Sequence, residues 1–298
     1  NVVNLVRKNT KVFLLLSGKN DFEMLVNKFR EAEINHVKIS AGYRLSYPDE
    51  KLFTFYLDEF ETKLFDLQEG VYTCLIENED CEEQILTPGI DDEIFSRTKV
   101  PMTKNEVRVL SISRLELTKN AVVYDVGSGT GSVSIECARL SPDIFVFAIE
   151  QKEEAANLTK ENAVRLGLSD QIVVINKKAP EGFEELPTPT HVFIGGSSGA
   201  LSDILSAIQK KLIVKENTKG KTDKASKGVR VVINAVSLET IAQITKLIQM
   251  YPVKHVQLTQ IQASRAHKLG SYNLMQAQNP VLIASFNLLP GDKMEADE

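Results

Sequence analysis

The stretch Val122-Val-Tyr-Asp-Val-Gly-Ser-Gly-Thr-Gly131 limits what this chain can fold into more than any other. An apolar strand runs into a glycine loop, and a helical segment from Ser132 to Leu140 follows at once. Gly127, Gly129 and Gly131 stand at alternate positions, where the missing Cβ lets backbone come close to a bound ligand. Because the loop opens a helix, its N–H groups are available to a carboxylate or another polar ligand group. A dinucleotide fingerprint needs its third glycine at position 132, and that residue is Ser132.

Alternating strands and helices surround this loop. Strands are predicted at 121–126, 144–149, 171–175, 190–194 and 229–234, and helices at 104–116, 131–140, 152–166, 200–212 and 237–249. The alternation implies an α/β fold with a mainly parallel sheet and helices on both faces. Two later apolar runs, His255–Gln262 and Pro280–Phe286, are expected to close the sheet as a strand pair, with an antiparallel last strand. In such a sheet a ligand sits beyond the carboxyl ends of the strands, where the strand order switches.

The chain has 298 residues, so one large or two smaller domains are expected. Residues 1–80 read as a small α/β piece. It contains a strand at Val12–Leu16, a helix Phe22–Glu33 capped by Asp21, a strand at His36–Ser40 and a turn at Leu45–Glu50. Strand then helix follow over Phe53–Phe65, with a last strand at Val71–Glu77. The polar stretch Asn78–Glu83 marks a linker, set at 81–87, between this piece and a second domain, 88–298. Lys215 to Gly228 carries five lysines, read either as a solvated loop or as a cationic flap over an anionic substrate.

Net charge is −5, which argues against a general nucleic-acid binder. No run of 18 apolar residues is present, so no membrane span is expected. The three cysteines form no C-x-x-C and the amino-terminal residues contain no signal-peptide core, which fits reduced thiols in the cytoplasm. None of the four histidines has metal-ligand spacing, so no metal is expected.

Glu150 lies at the end of the second strand, 19 residues after Gly131. In nucleotide-binding α/β units an acid there accepts the ribose hydroxyls, although a solvent-facing acid opening the next helix would look the same. Ala179, after the third strand, is small enough to pass its N–H to an adenine edge. Thr103 and Glu106 have the spacing of a capping box for the helix at 104–116. Gly195 and Gly196 either make a tight turn or leave room for a bulky substrate. Arg265 and Lys268 are either surface charges or grips for carboxylates. No catalytic acid, base or nucleophile stands out.

The G-x-G-x-G loop with Asp125 before it resembles that of S-adenosylmethionine (SAM) dependent methyltransferases, whose fold is Rossmann-like. The segments Asp91–Phe95, Pro101–Arg108, Asp125–Glu136, Ala179–Glu181, Phe193–Gly196, Val232–Thr240 and Ser264–Ala266 occur in an order similar to the decarboxylating cobalt-precorrin C15-methyltransferases of cobalamin biosynthesis. That resemblance covers about residues 88–287. It implies SAM as cofactor, held by Thr103, Gly127, Ser128, Gly129, Thr130, Gly131, Glu150 and Ala179. It implies a corrin-ring precursor as substrate, met by Gly195, Gly196, Arg265 and Lys268, and a homo-oligomer, often a tetramer. Many methyltransferases carry an acid just before Ala179 for the adenine amine, and this chain has Lys178. Residues 1–80 resemble the carboxyl-terminal half of a precorrin C5-methyltransferase. The other half of that family, with its own glycine motif, is not in this sequence, so C5 methylation is not expected. Competing readings are a methyltransferase for RNA or protein and a non-catalytic corrinoid-pathway scaffold.

Overall fold

The computed structural model describes residues 2–63, 68–81, 87–218 and 228–291. Most of the expected linker and the centre of the lysine-rich stretch therefore lie outside the described residues. Two compact units are present: residues 1–86 with 163–170, and residues 87–162 with 171–298. No described helix is long and apolar enough to cross a membrane.

The first unit contains α1 (Val2–Lys8), β1 (Lys11–Leu16), α2 (Lys19–Glu31), β2 (Val37–Tyr43), β3 (Lys51–Tyr56), α3 (Phe60–Lys63) and β4 (Tyr72–Asn78). Its sheet runs β1-β4-β2-β3 with every neighbour antiparallel. Phe22, Leu25, Val26 and Phe29 fall on one face of α2 and are all buried, as their helical spacing requires. Phe22 meets Tyr72 edge-on at 5.2 Å between ring centroids. Two expectations change here. Asp21 is not the cap of α2: the helix starts earlier, after Gly18, and Asp21 accepts from the Ser17 N–H at 2.7 Å. The short helix α1 was not foreseen; it buries Val3 and Val6.

The second unit contains α4 (Asn105–Leu115), β5 (Val122–Val126), α5 (Ser132–Ala138), β6 (Phe145–Ile149), α6 (Glu153–Arg165), β7 (Ile172–Ile175), β8 (His191–Ile194), α7 (Leu201–Thr218), β9 (Val229–Ala235) and α8 (Leu238–Met250). Then come β10 (Val253–Ile261), β11 (Ser264–Leu269), β12 (Tyr272–Ala277) and β13 (Val281–Leu288). The seven-stranded sheet has the order β10-β13-β9-β8-β5-β6-β7. Strands β9, β8, β5, β6 and β7 are parallel. Strand β13 runs antiparallel between β9 and β10, as expected for the closing pair.

Buried on both faces, the parallel strands are nearly unbroken apolar runs, and all four residues of β8 are buried. The core on one face joins Val231 and Ile233 of β9 to Ile204, Leu205 and Ile208 of α7 and Ile244 and Leu247 of α8. Each such side chain contributes about 1.5–3 kcal/mol when fully buried. From β5 the chain steps to β6 and β7 on one side, then to β8 and β9 on the other. The switch therefore falls between β5 and β8, at the glycine loop.

Candidate active site

The loop Gly127–Gly131 turns the chain from β5 into α5. Ile149 of β6 ties it down, its carbonyl accepting from the N–H groups of Gly127 at 2.8 Å and Ser128 at 3.3 Å. Gly127 has φ +74, and a Cβ there would stand 2.6 Å from the Gly196 carbonyl oxygen. Gly129 has φ +60, and its Cβ would meet the Pro101 carbonyl oxygen at 2.8 Å. This corrects the sequence reading, which gave the missing Cβ atoms to a ligand. At both positions neighbouring backbone fills the space.

A cavity of about 240 Å³ opens at the switch point. Among the expected residues, Gly127, Gly129, Glu150, Ala179, Gly195 and Gly196 line it. Thr103, Ser128, Thr130 and Gly131 do not. Ser128 and Thr130 are buried, the former with its hydroxyl 3.3 Å from that of Thr159, and Gly131 packs on Thr159. Sequence reading missed Val100, Gln151 and Ser198 in the lining. Gln151 donates to the Ser198 hydroxyl at 2.7 Å across the rim. Their one sequence signal was adjacency to motif residues. Lys177 and Lys178 line the cavity beside Ala179, where an acid is usual.

Glu150 is the most informative group here. It is only 8% exposed, and no salt bridge among the described residues involves it. Its carboxylate accepts from the Gly129 N–H at 3.1 Å and the Lys152 N–H at 2.9 Å. A carboxylate has about four acceptor positions, so this one keeps capacity for hydroxyl donors entering the cavity.

Behind the loop, Asp125 is buried. One of its oxygens accepts the Ser134 hydroxyl at 2.5 Å, and the other has no partner. Burial pushes its pKa up to about 6, with the Ser134 bonds opposing and the Glu150 charge adding to the rise. The unfolded chain ionises this group first. Stability is therefore lost as pH climbs from about 4 through about 6. Asp125→Asn is expected to gain thermal stability on the parent across that interval, with the gap constant at higher pH. Melting curves read against pH check this, and parallel pH profiles would contradict it.

An ion-pair network borders the other side. Arg108 of α4 is fully buried and reaches Glu136 of α5 at 3.3 Å and Asp92 at 3.1 Å. It also donates to the carbonyls of Thr103, at 2.7 Å, and Ile90. Arg265 of β11 joins the network, donating to Asp92 at 2.8 Å and to both oxygens of Glu106 at 2.8 and 2.6 Å. Two expectations are corrected here. Thr103 and Glu106 form no capping box: the cap residue of α4 is Lys104, and Arg265 occupies the Glu106 carboxylate. That contact holds the Glu106 pKa below its ordinary value. The guanidinium of Arg265, expected to grip substrate, is engaged by these two internal acids. Lys268, on the same strand, is exposed.

An open sheet of this order, with a glycine loop and a strand-end acid at the switch, defines a SAM-dependent methyltransferase fold. SAM supplies an electrophilic methyl group, and the residues present fit it: a buried acid with spare acceptor capacity faces the cavity between the glycine loop and Ala179. Residues 93–287 match the family described as the precorrin methyltransferase domain, and the chain belongs to that family. A relative from Pyrobaculum calidifontis, named a probable cobalt-precorrin-6B C(15)-methyltransferase (decarboxylating), is 38% identical over 199 residues, covering 66% of this chain and 94% of its own. The solved precorrin-6y C5,15-methyltransferase of Geobacter metallireducens is 30% identical with TM-score 0.57, covering 67% of this chain and 96% of its own. The precorrin 8W decarboxylase of Methanobacterium thermoautotrophicum is likewise 30% identical with TM-score 0.57, covering 67% and 100%.

Proposed function

We propose that the chain methylates C15 of a corrin-ring precursor with SAM as donor, and that the acetate at C12 leaves as carbon dioxide, in cobalamin biosynthesis. The observation that carries this is Glu150, buried, without a salt-bridge partner among the described residues and facing the cavity beside the glycine loop, within a chain of this family. The names of the relatives support the substrate and the decarboxylation. Methyl transfer to an electron-rich carbon depends on positioning and electrostatic fit more than on a base. Glu150 would accept the ribose hydroxyls, Ala179 would meet the adenine, and Gly195 and Gly196 would leave room for the ring. A Cβ on Gly196 would meet nothing within 4 Å, which supports the last role.

The test is mass spectrometry after incubation with SAM and cobalt-precorrin-6B. One methyl gained and one carbon dioxide lost is the expected product, and a methyl gain alone would refute the decarboxylation. In the same series Glu150→Ala is expected to weaken SAM binding about 10- to 100-fold, the worth of one or two hydrogen bonds to a charged group. Unchanged affinity would remove the ribose role.

The proposal includes a boundary near 81–87, with the first unit corresponding to the carboxyl-terminal half of a C5-methyltransferase. The turn between β2 and β3, built from Leu45–Glu50, supports that correspondence. It also includes a homo-oligomer, a tetramer by resemblance. The two-stranded hairpin β11–β12 supports assembly, since it exposes Leu269, Tyr272, Leu274 and Met275 and a lone hairpin is marginal in water. Free Cys74, Cys81 and Cys137 fit a reducing cytoplasm.

A further inference from the structure

The carboxyl-end rim of the sheet carries aliphatic side chains that the core does not use. Val236, one residue beyond β9, is 57% exposed, and Leu238, the first residue of α8, is 79% exposed. Strand register locates Val236, and Leu238 follows it by two residues. Ile194, the last residue of β8, stands opposite Ile233 of β9, so Val236 lies just past the carboxyl end of the strand next to the one that runs into the Gly195–Gly196 turn lining the cavity. On the far side of β9, Ala235 pairs with Leu282 of β13, so Val281 comes next along the rim. Val281 in turn pairs with Ile261 of β10, and both are partly exposed. Single exposed aliphatic residues need no explanation, but a row of three at the rim that holds a cofactor cavity, with Leu238 two residues beyond it, does.

Charge flanks this row. Lys104 caps α4 at the same end of the sheet. The hairpin that leaves β10 after Ile261 and returns before Val281 carries exposed Lys268, and Arg265 anchors that hairpin to α4. An apolar strip with cations at its edges complements a flat, largely hydrocarbon ring with carboxylates around its periphery.

We propose that Val236, Leu238, Val281 and Ile261 form a floor that carries one face of the tetrapyrrole substrate beside the methyl donor. This rests on the corrin-precursor reading and says which surface of the chain recognises the ring. The floor acts on substrate alone, because none of the four residues lines the cofactor cavity.

The experiment compares the parent with a Val236→Ser/Leu238→Ser variant, using cobalt-precorrin-6B and SAM. Both side chains are exposed, so melting temperature and SAM affinity are expected to stay at parent values. KM for the corrinoid is expected to rise about tenfold to a hundredfold, the scale on which apolar contacts discriminate. Val236→Ile/Leu238→Met should restore it. A parent-like KM in the serine variant overturns the floor, as does a rise in KM that comes with a lowered melting temperature and weaker SAM binding. A parent that neither binds nor methylates the corrinoid sinks the substrate reading itself, and the two failures are told apart by the parent alone.

Discussion

Replacing Gly127 by alanine is expected to lower stability by about 2–4 kcal/mol, a fall in melting temperature of about 5–15 °C for a unit of this size. Two costs combine. At φ +74 an L-residue sits in the left-handed region, costing about 1–2 kcal/mol. The added Cβ would also press on three backbone atoms of Gly196, at 2.6, 2.8 and 3.0 Å, and backbone cannot swing away as a flexible side chain can. Relief requires the turn after β8 to move off β5. That breaks the bonds from the Gly195 and Gly196 N–H groups to the Val126 carbonyl, now 2.9 and 3.3 Å. Since Gly127, Gly195 and Gly196 line one cavity, SAM affinity should fall with stability. Gly199→Ala is the control: φ is +84 there, but nothing lies within 4 Å of the Cβ, so only the backbone cost of about 1–2 kcal/mol should appear. Equal losses at the two positions would show that the Gly196 contact contributes nothing.

Arg108→Met is expected to cost about 3–5 kcal/mol by leaving buried carboxylates without their cation. Glu136 is fully buried and Asp92 nearly so. Glu136 would keep the Gly89 and Ile90 N–H groups and Arg139, and Asp92 would keep Arg265. These contacts offset part of the loss. The net worth of such a network against apolar packing is small, because desolvation consumes most of the Coulomb attraction, but breaking it from one side is costly. The double variant Arg108→Met/Glu136→Met is therefore expected to lose less than the sum of the single changes. Denaturant melts of all four proteins measure the coupling. A loss under about 1 kcal/mol, the scale of a surface pair, would contradict the assignment. Arg108 also holds the Thr103 carbonyl, close in sequence to Val100 and Pro101 in the cavity wall, so weaker SAM binding should accompany unfolding at lower denaturant.

Most of the second unit was legible before folding was considered. Strands such as β8 and β9 are buried on both faces, and that demand writes itself into sequence as short apolar runs. The hairpin β11–β12 was not legible. Ser264-Arg-Ala-His-Lys-Leu269 is exposed along most of its length, so neither face imposes an alternating pattern, and the segment read as a charge cluster. The capping box failed for a related reason. Thr103 and Glu106 have the right local spacing, but Arg265, 159 residues further along, takes the carboxylate with a bidentate bond that outcompetes a backbone N–H.

The sequence by itself determined that β5 must turn through positive φ into a helix, and that an acid must end the next strand. Both follow from short-range chemistry: only glycine enters that backbone region freely, and strand length sets where Glu150 emerges. Tertiary structure alone decided what those residues touch. Gly127 and Gly129 make room for the backbone of Gly196 and Pro101, Arg265 answers to Asp92 and Glu106, and Val236 and Leu238 are left uncovered at the rim. Packing and ion pairing join residues far apart in the chain, as far as 173 positions for Arg265 and Asp92, and nothing in the local order of side chains records which partner will arrive.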